Sequence, residues 1–335
     1  GIPVASLELK NPLTNQTVEH AMRQYRHDRD QREKIFEFKK RTLVHFAVDT
    51  EVVYMTTRLS GSSTHFLPFN RGVNGGAGNP PDENGRTYRT TYLWEEVLQR
   101  DSLLDLIARF LHIQVEERFS DEGKKVKKET LIFPRYHQLQ TVRRLVSASG
   151  EEGPGNNYLV EHSAGSGKSN TIAWLAHRLS SLHDSNDKRV FDSVIVVTDR
   201  RVLDKQLQDT IYQFEHRQGV VQKIDEDSQQ LAEALENAVP IIITTQQKFP
   251  FVSKHLLKMA EERGKKGGGR LPTRRGAVII DEAHSSQSGE TATNLKEVLG
   301  GEDLFREAQQ KAAEEGVPHL EELFRLNLLS IMKQL

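Results

Sequence analysis

Residues 160–170 read "VEHSAGSGKSN". They follow the short stretch "NYLV" (157–160) and precede the helical pattern "KSNTIAWLAHRLSSLHD" (168–184). Gly165 and Gly167 allow the backbone to turn successive amides inward around phosphate oxygens. The helix that begins here adds the positive end of its dipole. Lys168 places a cation on the β- and γ-phosphates, and the Ser169 hydroxyl is spaced to ligate Mg²⁺. Ser166 lies between the two glycines in the same loop. His162 stands where the full Walker A pattern has its first glycine. A plain glycine turn at a strand–helix junction is the competing reading, and the Gly-Lys-Ser ending favours a nucleotide.

Working outward from this loop, "DSVIVVT" (192–198), "VPIIITT" (239–245) and "GAVIID" (276–281) are short β-branched runs. Helical stretches such as "RVLDKQLQDTIYQF" (201–214) separate them. Continuous apolar strands alternating with helices predict a parallel sheet covered on both faces. The last run delivers Asp281-Glu282-Ala283-His284 at its end. Asp281 is placed to hold Mg²⁺ through water, and Glu282 to activate an attacking water. His284 would sit near the γ-phosphate and link hydrolysis to movement. A solvated acidic turn does not account for an apolar strand delivering two acids downstream of a phosphate loop.

Composition sets bounds on the rest. The chain has 335 residues, 36% hydrophobic and 28% charged, with a net charge of −1. That length suits about two domains, and the charge balance leaves any nucleic-acid contact to local patches. There is no cysteine, which excludes disulfides, thiolate zinc sites and a cysteine nucleophile. No apolar run is long enough for a membrane-spanning helix, and no signal-peptide pattern is present. The chain starts at Gly1, not Met, inside an expected strand, so a piece of a longer protein is expected.

Gly167-Lys168-Ser169 together with the "DEAH" tetrapeptide resembles the first RecA-like lobe of superfamily 2 helicases and translocases. "PRYHQLQTV" (134–142) looks like the Q motif of those motors. The resemblance implies that Gln138 bonds the adenine edge and selects ATP over GTP, with Tyr136 or Arg135 stacking nearby. "VVTDRRVLDKQL" and "IIITTQQKF" look like motifs at strand ends that contact DNA. Arg200, beside Asp199, and Thr244, Thr245 and Gln246 are the DNA-binding residues this implies. Hydroxyls, amides and helix N-termini suit phosphate contacts that are blind to sequence; capping of a following helix is the plainer reading.

The other end of the chain reads "GIPVASLELKNP". Alternate residues on a strand share a face, so Glu8 and Lys10 point the same way. In a PD-(D/E)xK nuclease the acid ligates Mg²⁺, and the lysine orients or deprotonates water. Taken alone, an ion pair on a half-exposed strand explains the tripeptide. The order of "LELKNP", a charged helix, two strands and a superfamily 2 motor resembles the restriction (R) subunit of type I restriction-modification enzymes. That resemblance implies a nuclease domain ahead of two RecA lobes, and a family glutamine at Gln24. Asp28 stands where the family has a tyrosine. The family's other metal-binding aspartate would lie before Gly1, and the second lobe with its arginine finger after the last residue. By itself this stretch is expected to bind ATP·Mg²⁺ weakly and hydrolyse it poorly.

The expected architecture is α/β: a partial nuclease domain with a mixed sheet and connecting helices over 1–118, a charged linker or hairpin tip over 119–130, and a RecA-like parallel lobe over 131–335. Within the first part, a helix is expected from Thr17 to about Arg32, a hairpin over 42–59, and a helix over 92–113 broken near Asp101. The resemblance implies ATP and Mg²⁺ as cofactors, and double-stranded DNA and the methyltransferase (M) and specificity (S) subunits as partners. It places the protein in a bacterial or archaeal cytoplasm, away from membranes. Two other readings remain open: a superfamily 2 helicase or remodeller whose N-terminal domain is not catalytic, and a DNA-binding scaffold with a degenerate ATPase lobe.

Overall fold

The computed structural model describes residues 2–73, 76–81, 85, 87–119, 125–163, 165–198, 201–214, 219–224, 227–245, 248, 252, 255, 275–281 and 329–332. The chain forms two compact units, Gly1–Gln140 and Thr141–Leu335.

The first unit is built on a four-stranded mixed sheet. Strand β1 (Ala5–Leu9) leads through helix α1 (Val18–His27) to β2 (Val44–Val48), which pairs with β1 in parallel. Parallel neighbours need such a crossover. β3 (Val53–Thr56) returns antiparallel to β2, and β4 (Leu67–Pro68) antiparallel to β3, giving the order β1-β2-β3-β4. The expected hairpin is β2–β3. Thr17 caps α1 in a reciprocal capping box with His20, and the Val18 N–H donates to Asp49 Oδ2 at 2.8 Å. Val18, Ala21, Met22 and Tyr25 are the buried face of α1, one stripe at helical spacing.

Helix α1 ends at His27, short of the expected Arg32, with Asp28 as its C-cap. Asp30 then accepts from the Arg32 N–H, and such aspartate-centred turns compete with helix. The helix expected over 92–113 is also divided. A π-helical turn at Leu93–Val97 is capped by Leu98, and the extended backbone of Gln99 then precedes α2 (Arg100–Arg109). His112 already belongs to strand β5 (His112–Phe119), paired antiparallel with β6 (Lys125–Ile132). The stretch 119–130, read above as a linker or hairpin tip, thus carries most of a strand. Lys128 lies opposite Glu116 and Lys127 opposite Glu117, cross-strand charge pairs that favour this register.

Helix α3 (Tyr136–Glu152) crosses the boundary between the units. The second unit holds β7 (Asn157–Leu159), α4 (Lys168–Ser180), β8 (Ser193–Thr198), α5 (Arg201–Gln213), β9 (Val221–Lys223), α6 (Ser228–Glu236), β10 (Ile241–Thr245), β11 (Gly276–Ile280) and β12 (Leu329–Met332). Its six strands are all parallel, in the order β7-β12-β11-β8-β10-β9. All six residues of β8 are buried, and all but the last residue of β10 and β11. The near-continuous apolar runs therefore sit under helices on both faces, as a parallel sheet requires. Ile195, Val197, Ile242 and Val278 form a core with Leu231 and Leu235 of α6. Trp174 of α4 meets Phe214 edge-on at 5.9 Å, and His177 Nε2 bonds the Ile211 carbonyl at 3.0 Å, fastening α4 to α5.

Candidate functional site

Two sets of residues are brought together, one in each unit. In the second, the parallel strands end on a common edge, where ligands of open α/β sheets bind. Gly165 and Gly167 both take left-handed backbone conformations, φ 72° and 82°. Gly167 is the N-cap of α4, so Lys168 and Ser169 open that helix. Ser166 is buried, and its N–H donates to the Ser163 carbonyl at 3.2 Å. His162 faces Thr141 Oγ1 at 3.3 Å through Nε2, so the residue replacing the loop's first glycine contacts α3. The backbone N–H of Asp281 donates to the Val197 carbonyl at 3.0 Å. That bond continues the β11–β8 pairing one residue and fixes the aspartate at the strand tip. Lys168 and Asp281 line a single cleft, together with Thr141, His162, Thr171 and Ile280. The two strand ends that deliver them are next but one, because β12 separates β7 from β11.

An ammonium at a helix N-terminus and a carboxylate across a cleft are the complement of a magnesium-bound polyphosphate. The donor set fits the ion: Asp281 and the Ser169 hydroxyl are hard oxygen donors of the kind Mg²⁺ takes, beside substrate phosphates. Glu282, His284, Arg200 and Gln246 lie outside the described residues. Of the two threonines at the tip of β10, Thr244 is 1% exposed and Thr245 is half-buried, so only Thr245 presents side-chain surface.

Gln138 and Tyr136 belong to the first unit. Gln138 is buried, and its Oε1 accepts the Arg135 N–H at 2.8 Å, so it ties down the start of its own helix. Tyr136 is a core residue. Its ring packs edge-on against Phe69 and Tyr92, and its hydroxyl accepts from Arg71 Nε at 3.1 Å. It is not disposed to stack on a base.

In the first unit, Ser6, Glu8 and Lys10 share the face of β1 beneath α1. Leu7 and Leu9 turn to the other face and are exposed. Lys10 extends the strand by donating its N–H to the Val48 carbonyl at 2.8 Å. Its Nζ bonds Gln24 Oε1 at 2.5 Å. Glu8 and Lys10 do not pair with each other. Glu8 Oε1 takes Nε of Arg29 at 2.7 Å and also its Nη2, an arginine that the sequence reading did not single out. Ser6 Oγ lies 2.8 Å from both Tyr25 Oη and His45 Nδ1. Burial raises the Tyr25 hydroxyl well above the usual phenol range and lowers His45 to about 4, so both are neutral at pH 7. The next acid along the sheet, Asp49, commits its oxygens to the N–H groups of Val18, Glu51 and Val52. No group of three His, Cys, Asp or Glu able to hold a metal occurs among the described residues. Glu8 is an oxygen donor of the right kind for Mg²⁺, one ligand of a set.

Comparison with known proteins agrees with both halves. Residues 137–305 match the family model of the SWI2/SNF2 ATPase, about half of the chain. Residues 1–64 match the model of the type I restriction enzyme R protein N terminus. The chain belongs to the type I restriction R-subunit family. The endonuclease subunit of the type I restriction enzyme SauMSSORF170P of Staphylococcus aureus (strain MSSA476) is 28% identical over 226 residues, 67% of this chain and 21% of that protein. The endonuclease subunit of the HindI enzyme of Haemophilus influenzae (strain Rd) is 28% identical over 307 residues, 87% of this chain and 26% of that protein. This R-subunit sequence thus spans about a fifth to a quarter of the length of these relatives. Among solved structures, a fragment assigned as an HsdR subunit from Vibrio vulnificus YJ016 aligns at 12% identity and a TM-score of 0.31. That alignment covers 96% of this chain and 41% of the other. Among the described residues of the R-subunit chain, no helix is long and apolar enough to cross a membrane.

Proposed function

We propose that the protein translocates along double-stranded DNA at the expense of ATP and cleaves it, as the motor-nuclease subunit of a type I restriction enzyme. It acts in a bacterial or archaeal cytoplasm, assembled with methyltransferase and specificity subunits, a reading supported by the match of residues 1–64 to the type I restriction enzyme R protein N terminus. The observation that carries this reading is the shared cleft of Lys168 and Asp281 at the strand tips of a parallel sheet. In the second unit, the amides of the Gly165–Gly167 loop and the Lys168 ammonium bind and orient the triphosphate. Ser169 and Asp281 hold Mg²⁺, Glu282 takes the proton of the attacking water, and His284 couples hydrolysis to movement. Arg200, Thr245 and Gln246 contribute to DNA backbone contact. In the first unit, Glu8 ligates Mg²⁺, Lys10 steers the attacking water, and Gln24 holds Lys10 in position. At each centre the magnesium ion, when bound, supplies charge to a phosphate and acidity to a water.

A second reading rests on the Arg29–Glu8 ion pair: Glu8 and Lys10 stabilise the strand, and the first unit is not catalytic. ATPase and DNA-cleavage assays on the full-length parent separate the two. Glu8→Ala is expected to abolish cleavage and leave ATPase intact, and Lys168→Ala to abolish both. Unimpaired cleavage by Glu8→Ala would refute the nuclease assignment, and unimpaired ATPase in Lys168→Ala would refute the motor.

A further inference from the structure

Arg29 is the one cation that meets the Glu8 carboxylate among the described contacts. Two of its nitrogens converge on a single oxygen, Oε1, and no described hydrogen bond reaches Oε2. The pair is unevenly exposed. The Glu8 side chain is 14% exposed and that of Arg29 is 36% exposed, so the guanidinium lies on the solvent side of the acid. A carboxylate this far withdrawn from water needs a counter-charge. Lys10, two residues along on the same face, is the obvious candidate and does not serve, because its ammonium is held by Gln24. Arg29 serves instead, and it lies beyond the end of α1, after the Asp28 cap. Swinging its side chain away breaks no helical hydrogen bond.

A guanidinium on Oε1 and a divalent cation on the same carboxylate oppose each other by charge, even if the metal first approaches through Oε2. We propose that Arg29 is a positioning residue of the nuclease site: it holds the Glu8 carboxylate in the metal-free protein and gives it up when the divalent cation binds. This inference rests on the nuclease reading of Glu8. The exchange keeps a cation beside the half-buried carboxylate throughout. It also sets a threshold, since the metal binds against the charge of the cation it releases.

The test is Mn²⁺ binding to the nucleotide-free full-length parent, followed by the electron paramagnetic resonance signal of free Mn²⁺, with Mg²⁺ titrations of DNA cleavage alongside. Glu8→Gln is expected to remove one Mn²⁺ site. Arg29→Gln is expected to tighten that same site roughly tenfold, the scale of one charge-assisted contact, and to lower the Mg²⁺ concentration for half-maximal cleavage by a similar factor. Arg29→Lys keeps the charge and guards against misfolding; its affinity is expected to stay near that of the unmodified protein. If Glu8→Gln removes the site while Arg29→Gln leaves it unchanged or weaker, the exchange is refuted and the nuclease reading stands. If Glu8→Gln leaves Mn²⁺ binding intact, the nuclease reading fails and takes the exchange with it.

Discussion

His45 is 1% exposed and His112 is 9% exposed, and burial lowers each imidazole to about 4 from an ordinary value of 6.5. Each is neutral in the folded protein at pH 7 and takes up a proton on unfolding once the pH drops below about 6.5. The stabilisation is fully present above that value and is lost as pH falls through the window from about 6.5 to about 4, by up to roughly 3 kcal/mol per residue. Urea denaturation at pH 7, 5.5 and 4.5 is expected to show a falling midpoint for the transition of the first unit, with a shallower fall in His45→Gln. An equal fall in both proteins would contradict the assignment. At this scale much of the site was legible. Period-two alternation put Glu8 and Lys10 on one face, and Gln24 meets Lys10 there. Arg29 was not legible as the partner of Glu8: its spacing from Tyr25 suits the same side of α1, but a lone arginine near a helix end carries no signal of which acid it will meet.

Helix starts decide what several polar residues do. Gln138 is the third residue of α3, and its side chain accepts the Arg135 N–H that the helix leaves without a carbonyl partner. Gln138→Ala strands that donor, with an expected loss of about 1 kcal/mol, read as a lower denaturation midpoint of the first unit. An unchanged midpoint would show that the side chain is available for other work. The capping role was not anticipated, and local sequence does not separate it from adenine recognition, since both need a glutamine near a helix start. The phosphate loop was legible for a different reason: Gly165 and Gly167 both adopt positive φ, the conformation for which glycine is the inexpensive choice.

The two-unit α/β organisation was readable from pattern. Buried β-branched runs mark a parallel sheet, and the absence of a chain-wide basic charge directs attention to local sites. Strand order was not readable. Leu329–Met332 enters the sheet between β7 and β11, and a short apolar run carries no signal of which neighbours it will take. Even with β12 between them, Lys168 and Asp281 reach a common cleft, and the motor reading depends on that convergence. Its most direct test is a double-mutant cycle on Mg²⁺-ATP affinity, measured by isothermal titration of the full chain, Lys168→Ala, Asp281→Ala and the double variant. Convergence on one magnesium-triphosphate predicts a double variant scarcely worse than the poorer single one, with a coupling of about 1 kcal/mol or more. Losses that add to within about 0.5 kcal/mol would contradict it.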